Sequence, residues 1–231
     1  MKKSELSQLI KIAKEQYDSH DIAHDFSHVY RVLKTSQYIA SKEQEADIDV
    51  VITSAIFHDI VSFKKNSPQS KYSTKLSAEL AKVILLNLGF FDEQKIEKIE
   101  KVINECSFTA NKKLTTIESK IIKDADLLEG TGAIEVMRIF AYSSYMNRKF
   151  YNIDDPFPIH RDSDGLKYAL DYFFKKTLRI PEHLNTQTAL NLVKPRHKFI
   201  IQFIKELVIE IGDINENDQK KLIKLIQQYE K

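Results

Sequence analysis

Apolar residues recur at helical spacing along almost the whole chain, and no other feature constrains its fold as strongly. Leu6, Leu9, Ile10, Ala13 and Tyr17 line one face of a first helix, because residues three and four apart stack on the same side. Val29, Val32, Leu33, Ser36 and Ile39-Ala40 predict a second. Val50 to Phe57 is apolar on nearly every side, which reads as a helix buried all round, with a buried strand as the lesser alternative. Residues 62–70, around Lys64-Lys65-Asn66-Ser67-Pro68, read as a mobile loop. The spacing then predicts helices over 73–88 and 92–106, parted by Gly89, and a long one from Ile117 to Ser144. Gly130 and Gly132 inside that long helix mark close packing or a kink. Asn152 to Pro158 is the clearest break, followed by helices over 163–178, 186–211 and 217–230. A stripe of Phe199, Ile200, Phe203, Ile204, Leu207 and Val208 in the penultimate helix is core packing. With only 5 Gly and 5 Pro in 231 residues, turn formers are too few for a many-stranded sandwich or barrel. The reading is all-α: one helical-bundle domain over 1–231, with a C-terminal helical extension from about residue 160.

Charge and cysteine content narrow the function. The 35 basic and 33 acidic side chains balance to +2 with no single-sign block, whereas a nucleic-acid binder carries a basic stripe. One cysteine, Cys106, cannot form an internal disulfide and fits a reducing compartment. The first residues lack an apolar leader core, and no apolar run approaches the length of a membrane span. The expectation is a cytoplasmic protein that engages neither membrane nor nucleic acid.

The histidines and aspartates carry the chemistry. Four of the 7 histidines fall in the first quarter: His20, His24, His28 and His58. Of the dipeptides His20-Asp21, His24-Asp25 and His58-Asp59, only the last has apolar neighbours on both sides, in Ile56-Phe57-His58-Asp59-Ile60. That pair is forced inside, where imidazole and carboxylate are costly to bury unless something neutralises them, and a metal ion is the usual neutraliser. The competing reading is a core histidine satisfied by a carbonyl and its neighbouring aspartate. His24, His28 and Arg31 share a helix face, which would set a metal-binding imidazole beside a phosphate-binding guanidinium. A solvated helix start is the alternative there. It prevails for His20, but Val29, Val32 and Leu33 draw His28 inward. In Ile121 to Leu128, Asp124 and Asp126 point about 200° apart on a helix. Asp126 shares a face with Glu129, leaving Asp124 to hold an imidazole, contact water, or lie at the surface beside Lys123.

These motifs, in this order, resemble the HD superfamily of metal-dependent phosphohydrolases, and a bacterial subgroup of single-domain HD hydrolases in particular. The matching segments are His24 to Val32, Phe57 to Ile60 and Lys123 to Ile134, with similarity continuing through Phe173 to Leu178, Asn185 to Thr188 and Arg196. The resemblance implies an HD-domain-like helical bundle with its metal-binding core at about 20–145. It also implies His28, His58, Asp59 and Asp126 as metal ligands, Asp126 preferred to Asp124 because the general pattern ends in Ala-Asp. Three positions depart from the subgroup: Leu127 replaces its usual Arg, Glu129 its usual Asp, and Cys106 before Ser107 its usual His. A second metal or a phosphate contact at that cysteine is not expected.

Together these readings describe a metal-dependent phosphohydrolase. It would cleave a phosphate ester or phosphoanhydride of a small nucleotide-like substrate, such as a nucleoside triphosphate, through a metal-activated water. Mn²⁺ is the first choice of ion by family practice, ahead of Mg²⁺, Fe²⁺ or Zn²⁺, because mixed nitrogen and oxygen ligands suit several. Asp59, Arg31, Asp25 and Glu129 are the candidate catalytic or proton-handling groups. His24, Arg31, Lys64 (or Lys65), Lys176 and Arg196 are the candidate substrate contacts. The protein would act as a monomer or homodimer. A zinc peptidase is disfavoured because Asp25 stands where the HExxH pattern needs the longer Glu. The rival from another class is a non-catalytic HD module that binds a nucleotide signal.

Overall fold

In a computed structural model of the protein, describing residues 1–17, 25–43, 45–63, 67–106, 113–212 and 215–229, the regular structure is helical. The described residues contain ten α-helices, two 3₁₀ segments, no strand, and one isolated bridge between Lys149 and Tyr168. None of the described helices is long and apolar enough to cross a membrane. The chain forms two compact units, one of Met1–Asp126 with Asn185–Ala189, the other of Leu127–Leu184 with Leu190–Lys231.

The first unit is built around α3 (Ile48–Phe57), which packs on α1 (Lys3–Tyr17), α2 (Phe26–Ala40), α4 (Ser73–Leu88) and α5 (Glu93–Glu105). This central position explains why Val50 to Phe57 is apolar on every side: all eight residues are buried. Aspartates start three of these helices, where a carboxylate satisfies amide groups that lack intrahelical partners. Asp25 caps α2, Asp47 caps α3 and Asp92 caps α5. Gly89 ends α4 at φ +63°, a left-handed conformation that glycine adopts without strain. Buried Glu118, near the start of α6 (Ile117–Glu129), accepts from Lys98 Nζ at 2.7 Å and from the Asp47 amide at 2.9 Å. In the loop region, Pro68–Tyr72 is a 3₁₀ turn begun by Ser67.

The second unit packs Ile139, Phe157, Phe173, Ile200 and Ile204 into a core. Its helices are α7 (Gly132–Tyr145), α8 (Ala169–Lys175), α9 (Gln187–Ile211), which starts in the first unit, and α10 (Glu216–Gln227). In the α9 stripe, Ile200 and Ile204 are buried while Phe199 is largely exposed.

Two expected helices are interrupted. The one expected over 117–144 breaks after Glu129, and α7 begins at Gly132. The Leu128 carbonyl, released at the break, accepts from the Thr131 hydroxyl at 2.5 Å and from Arg196 Nη1 at 2.9 Å. Gly132 has φ +71°, and a Cβ there would lie 3.2 Å from the Arg196 Cβ and Cγ, so the glycine supplies both the turn and the room. The helix expected over 163–178 is regular only as α8, followed by a 3₁₀ segment at Thr177–His183 that contains Pro181. Upstream, the Asp171 carboxylate takes the Arg161 guanidinium on both oxygens, and the Asp164 amide at 2.7 Å. Those contacts tie Arg161 and Asp164 to α8.

Candidate metal centre

Three elements of the first unit bring imidazoles and carboxylates together. At the start of α2 the Asp25 carboxylate accepts the His28 amide at 3.0 Å. The cap sets His28 on the first turn, facing inward with Val29 and Val32, and the ring is fully buried. At the end of α3, His58 is also buried, and its Nδ1 donates to the Ala55 carbonyl at 2.9 Å. The proton therefore sits on Nδ1 and the Nε2 lone pair points away from the helix. That Nε2 has no hydrogen-bond partner among the described residues. The two rings lie 5.5 Å apart between centroids.

Around Nε2 of His58 the carboxylates stand just beyond hydrogen-bonding distance. Asp59 Oδ2 is 3.7 Å away and Asp126 Oδ1 is 3.9 Å away. Asp126 Oδ1 is also 3.6 Å from His28 Nε2. Ligand atoms of His28, His58 and Asp59 all fall within 4.8 Å of one another. Atoms each about 2.1 Å from one ion in near-tetrahedral array are about 3.4 Å apart, so the cluster has the spacing of a ligand set rather than of direct pairs. An orphaned buried nitrogen facing two carboxylates fits a divalent cation.

Asp124 lies elsewhere and is not at the surface. It is fully buried and accepts from the Asn185 amide and side chain at 2.9 and 2.8 Å, and from the Thr186 amide and hydroxyl at 2.7 and 2.8 Å. Burial pushes its pKa up despite these donors. Among the described residues its oxygens are committed to residues 185–186, so there it holds the start of α9 and not an imidazole.

Two further residues border the cluster. The buried Tyr17 hydroxyl accepts the Asp59 amide at 3.2 Å. Burial, with the nearby charge of Asp59, raises the phenol pKa well above its ordinary value. Buried Cys106 donates to the Ile103 carbonyl at 3.0 Å. Burial, then the charges of Asp59 and Asp126, push this thiol up and keep it protonated. In the sequence Tyr17 reads only as an apolar face position; the sole signal is a tyrosine where phenylalanine would serve packing.

The remaining described candidates divide between the two units. Arg31 Nη1 donates to the Ser27 hydroxyl at 3.2 Å, which donates to Asp25 at 2.6 Å, linking guanidinium to cap through the serine. Glu129, Lys176 and Arg196 belong to the second unit. Glu129 is buried, Lys176 Nζ lies 5.5 Å from the Tyr172 ring centre, and Arg196 braces the end of α6. His20, His24, Lys64, Lys65 and Ser107 lie outside the described residues.

Residues 25–131 match the HD domain family. The chain is 29% identical over 196 residues to the uncharacterized protein YpgQ of Bacillus subtilis, covering 83% of this chain and 86% of YpgQ. The crystal structure of YpgQ in complex with ADP superposes with a TM-score of 0.69 at 27% identity, covering 91% of this chain and 100% of that one. The Lin1889 protein of Listeria innocua gives 0.67 at 30% identity over 91% and 99% of the two chains. A predicted HD superfamily hydrolase from an uncultured Thermotogales bacterium gives 0.60 at 25% identity over 92% and 100%.

Proposed function

The chain belongs to the HD-domain superfamily, and from that premise we propose that it is a metal-dependent phosphohydrolase of small nucleotide-like substrates. HD domains generally bind divalent metals, and the relatives named as hydrolases make a hydrolase the general expectation. The observation that carries the proposal is the buried His58 Nε2, without a hydrogen-bond partner among the described residues and within 4 Å of Asp59 and Asp126. His28, His58, Asp59 and Asp126 would hold the ion, Mn²⁺ before Mg²⁺, Fe²⁺ or Zn²⁺. When bound, such an ion polarises a phosphoryl oxygen and acidifies water.

This chain's own residues do the rest. The Ala55 carbonyl keeps the His58 lone pair directed into the centre, and the Asp25 cap does the same for the position of His28. Arg31, three residues beyond His28, takes the substrate phosphate, because a planar guanidinium forks onto phosphate oxygens. Hydrolysis adds a water oxygen to phosphorus as the bond to the leaving oxygen breaks. The water proton passes to a carboxylate, for which half-buried Asp59 lies within reach of solvent. The ADP held by YpgQ supports a nucleotide as the substrate class.

A screen of nucleoside mono-, di- and triphosphates with the purified protein and Mn²⁺, Mg²⁺, Fe²⁺ or Zn²⁺, following phosphate and pyrophosphate release, tests the reading. Turnover that chelator abolishes is expected. Tight nucleotide binding without turnover under every ion would instead establish a non-catalytic nucleotide-binding module.

A further inference from the structure

We infer that two buried hydroxyls, of Tyr17 and Ser77, are positioning residues for the candidate metal centre, because they hold the turn that carries His58 and Asp59. The inference rests on the metal-centre reading above. α3 ends at Phe57, and the next residues must present two adjacent side chains to one point while their backbone leaves the helical ladder. Each amide of that turn can be followed to its acceptor. In an uninterrupted helix the Asp59 amide would bond the Ala55 carbonyl, but His58 Nδ1 occupies that oxygen at 2.9 Å. The Asp59 amide goes to the Tyr17 hydroxyl at 3.2 Å instead. Ile60 bonds back to the Phe57 carbonyl at 3.3 Å. The Val61 amide reaches the Ser77 hydroxyl at 3.0 Å, and Ser77 donates in turn to the Val61 carbonyl at 3.2 Å.

Two of the three amides from 59 to 61 are thus held by side chains of α1 and α4, 42 and 16 residues distant in sequence. Both side chains are buried, Tyr17 at 1% and Ser77 at 0% exposure. Packing alone asks for phenylalanine and alanine at such positions. A hydroxyl there has a purpose that packing does not supply, because an amide left buried without an acceptor bears its full desolvation cost. Tyr17 reaches the other imidazole-bearing helix as well: its ring lies 6.4 Å from that of Phe26, the first residue of α2 and two before His28. One tyrosine therefore touches the elements that carry both histidines. Groups that orient ligands in this way commonly change metal affinity by 10- to 100-fold when removed.

The test uses the full chain and the metals alone. Tyr17→Phe and Ser77→Ala each remove one hydroxyl, and Tyr38→Phe, at an exposed position on α2, serves as control. Mn²⁺ binding is followed by the free-ion EPR signal, Co²⁺ binding by its visible absorption, and the fold by metal-free melting and circular dichroism. Mn²⁺ affinity is expected to fall about tenfold or more in both variants, with an altered Co²⁺ band shape, while Tyr38→Phe matches the wild type. A merely structural role would lower metal-free melting and leave the Co²⁺ spectrum of the folded protein unchanged. Wild-type affinity and spectrum in both variants overturn the inference, and an effect in one alone overturns it for the other hydroxyl. Should Tyr17→Phe not fold, Ser77→Ala decides the matter. If the wild type takes up neither ion, the metal-centre reading falls and this inference with it. If the wild type binds and the variants bind equally, only the positioning role falls.

Discussion

His58 donates its Nδ1 proton to the Ala55 carbonyl three residues earlier, at 2.9 Å, and this bond decides which ring nitrogen faces Asp59 and Asp126. A helix end that ties down one imidazole nitrogen presents the other as a lone pair of fixed direction. Removing the ring or its neighbouring carboxylate removes that presentation. His58→Ala and Asp59→Ala are each expected to lose the bound ion and all hydrolysis. Elemental analysis of the purified variants checks this, and undiminished metal in both would refute the ligand assignment.

Asp124 and Asp126 separate by different readouts. Asp126→Asn weakens a ligand at a half-buried position, so metal content should fall while metal-free melting changes little. Asp124→Asn turns an amide N–H₂ toward donors from Asn185 and Thr186. Losing such an acceptor costs about 1–3 kcal/mol, which lowers the melting temperature by several degrees in a chain of this size. Metal analysis and calorimetry on the same preparations check both outcomes, and the opposite pattern would exchange the two roles.

For Arg31, substitution by Lys keeps the charge and removes the planar fork. If the guanidinium binds substrate phosphate, kcat/KM should fall about tenfold to hundredfold, the equivalent of one charge-assisted hydrogen bond worth about 1.5–3 kcal/mol. Metal content should stay unchanged. If Arg31 only braces Ser27 and Asp25, melting temperature falls and kcat/KM of the folded protein holds. Both quantities measured on one preparation distinguish the cases.

Acid should destabilise the first unit through Glu118 and Glu105. Burial alone would raise both carboxyls. Lys98 and the Asp47 amide at Glu118, and Thr115 with Ser119 at Glu105, outweigh it and hold both below the ordinary value. A group depressed in the folded state stabilises it above the unfolded pKa, near about 4.3 for glutamate. That contribution is lost as pH falls through the folded value. Asp124, raised by burial, acts in the opposite sense. Urea unfolding at stepped pH should show stability declining below about pH 4.5. Glu118→Gln should be less stable near neutrality, with a shallower acid decline; a decline as steep as the wild type would exclude Glu118 as a cause.

Much of the architecture was legible because helix formation and amphipathic burial are local. The apolar run Val50 to Phe57 implied a helix surrounded on all sides, and α3 is buried from Val50 onward. Asp and Gly at helix ends act within a few residues of themselves, as at Asp92 and Gly89. The helix break after Glu129 was less legible: its glycines allowed a kink or close packing, and Arg196, 68 residues from the carbonyl it braces, occupies the space that Gly132 leaves.

By itself, the sequence determined the all-helical character of the chain and singled out the residues that could carry chemistry, since a His-Asp pair between apolar neighbours is costly to bury without a partner. Tertiary structure alone decided the partners. It turned Asp124 toward Asn185 and Thr186, left Asp126 near both imidazoles, and set the hydroxyls of Tyr17 and Ser77 under the turn between His58 and Val61. The physical reason is range. Propensity and periodicity act over a few residues, whereas a hydrogen bond or ligand distance is fixed only when distant segments pack to within a few ångströms.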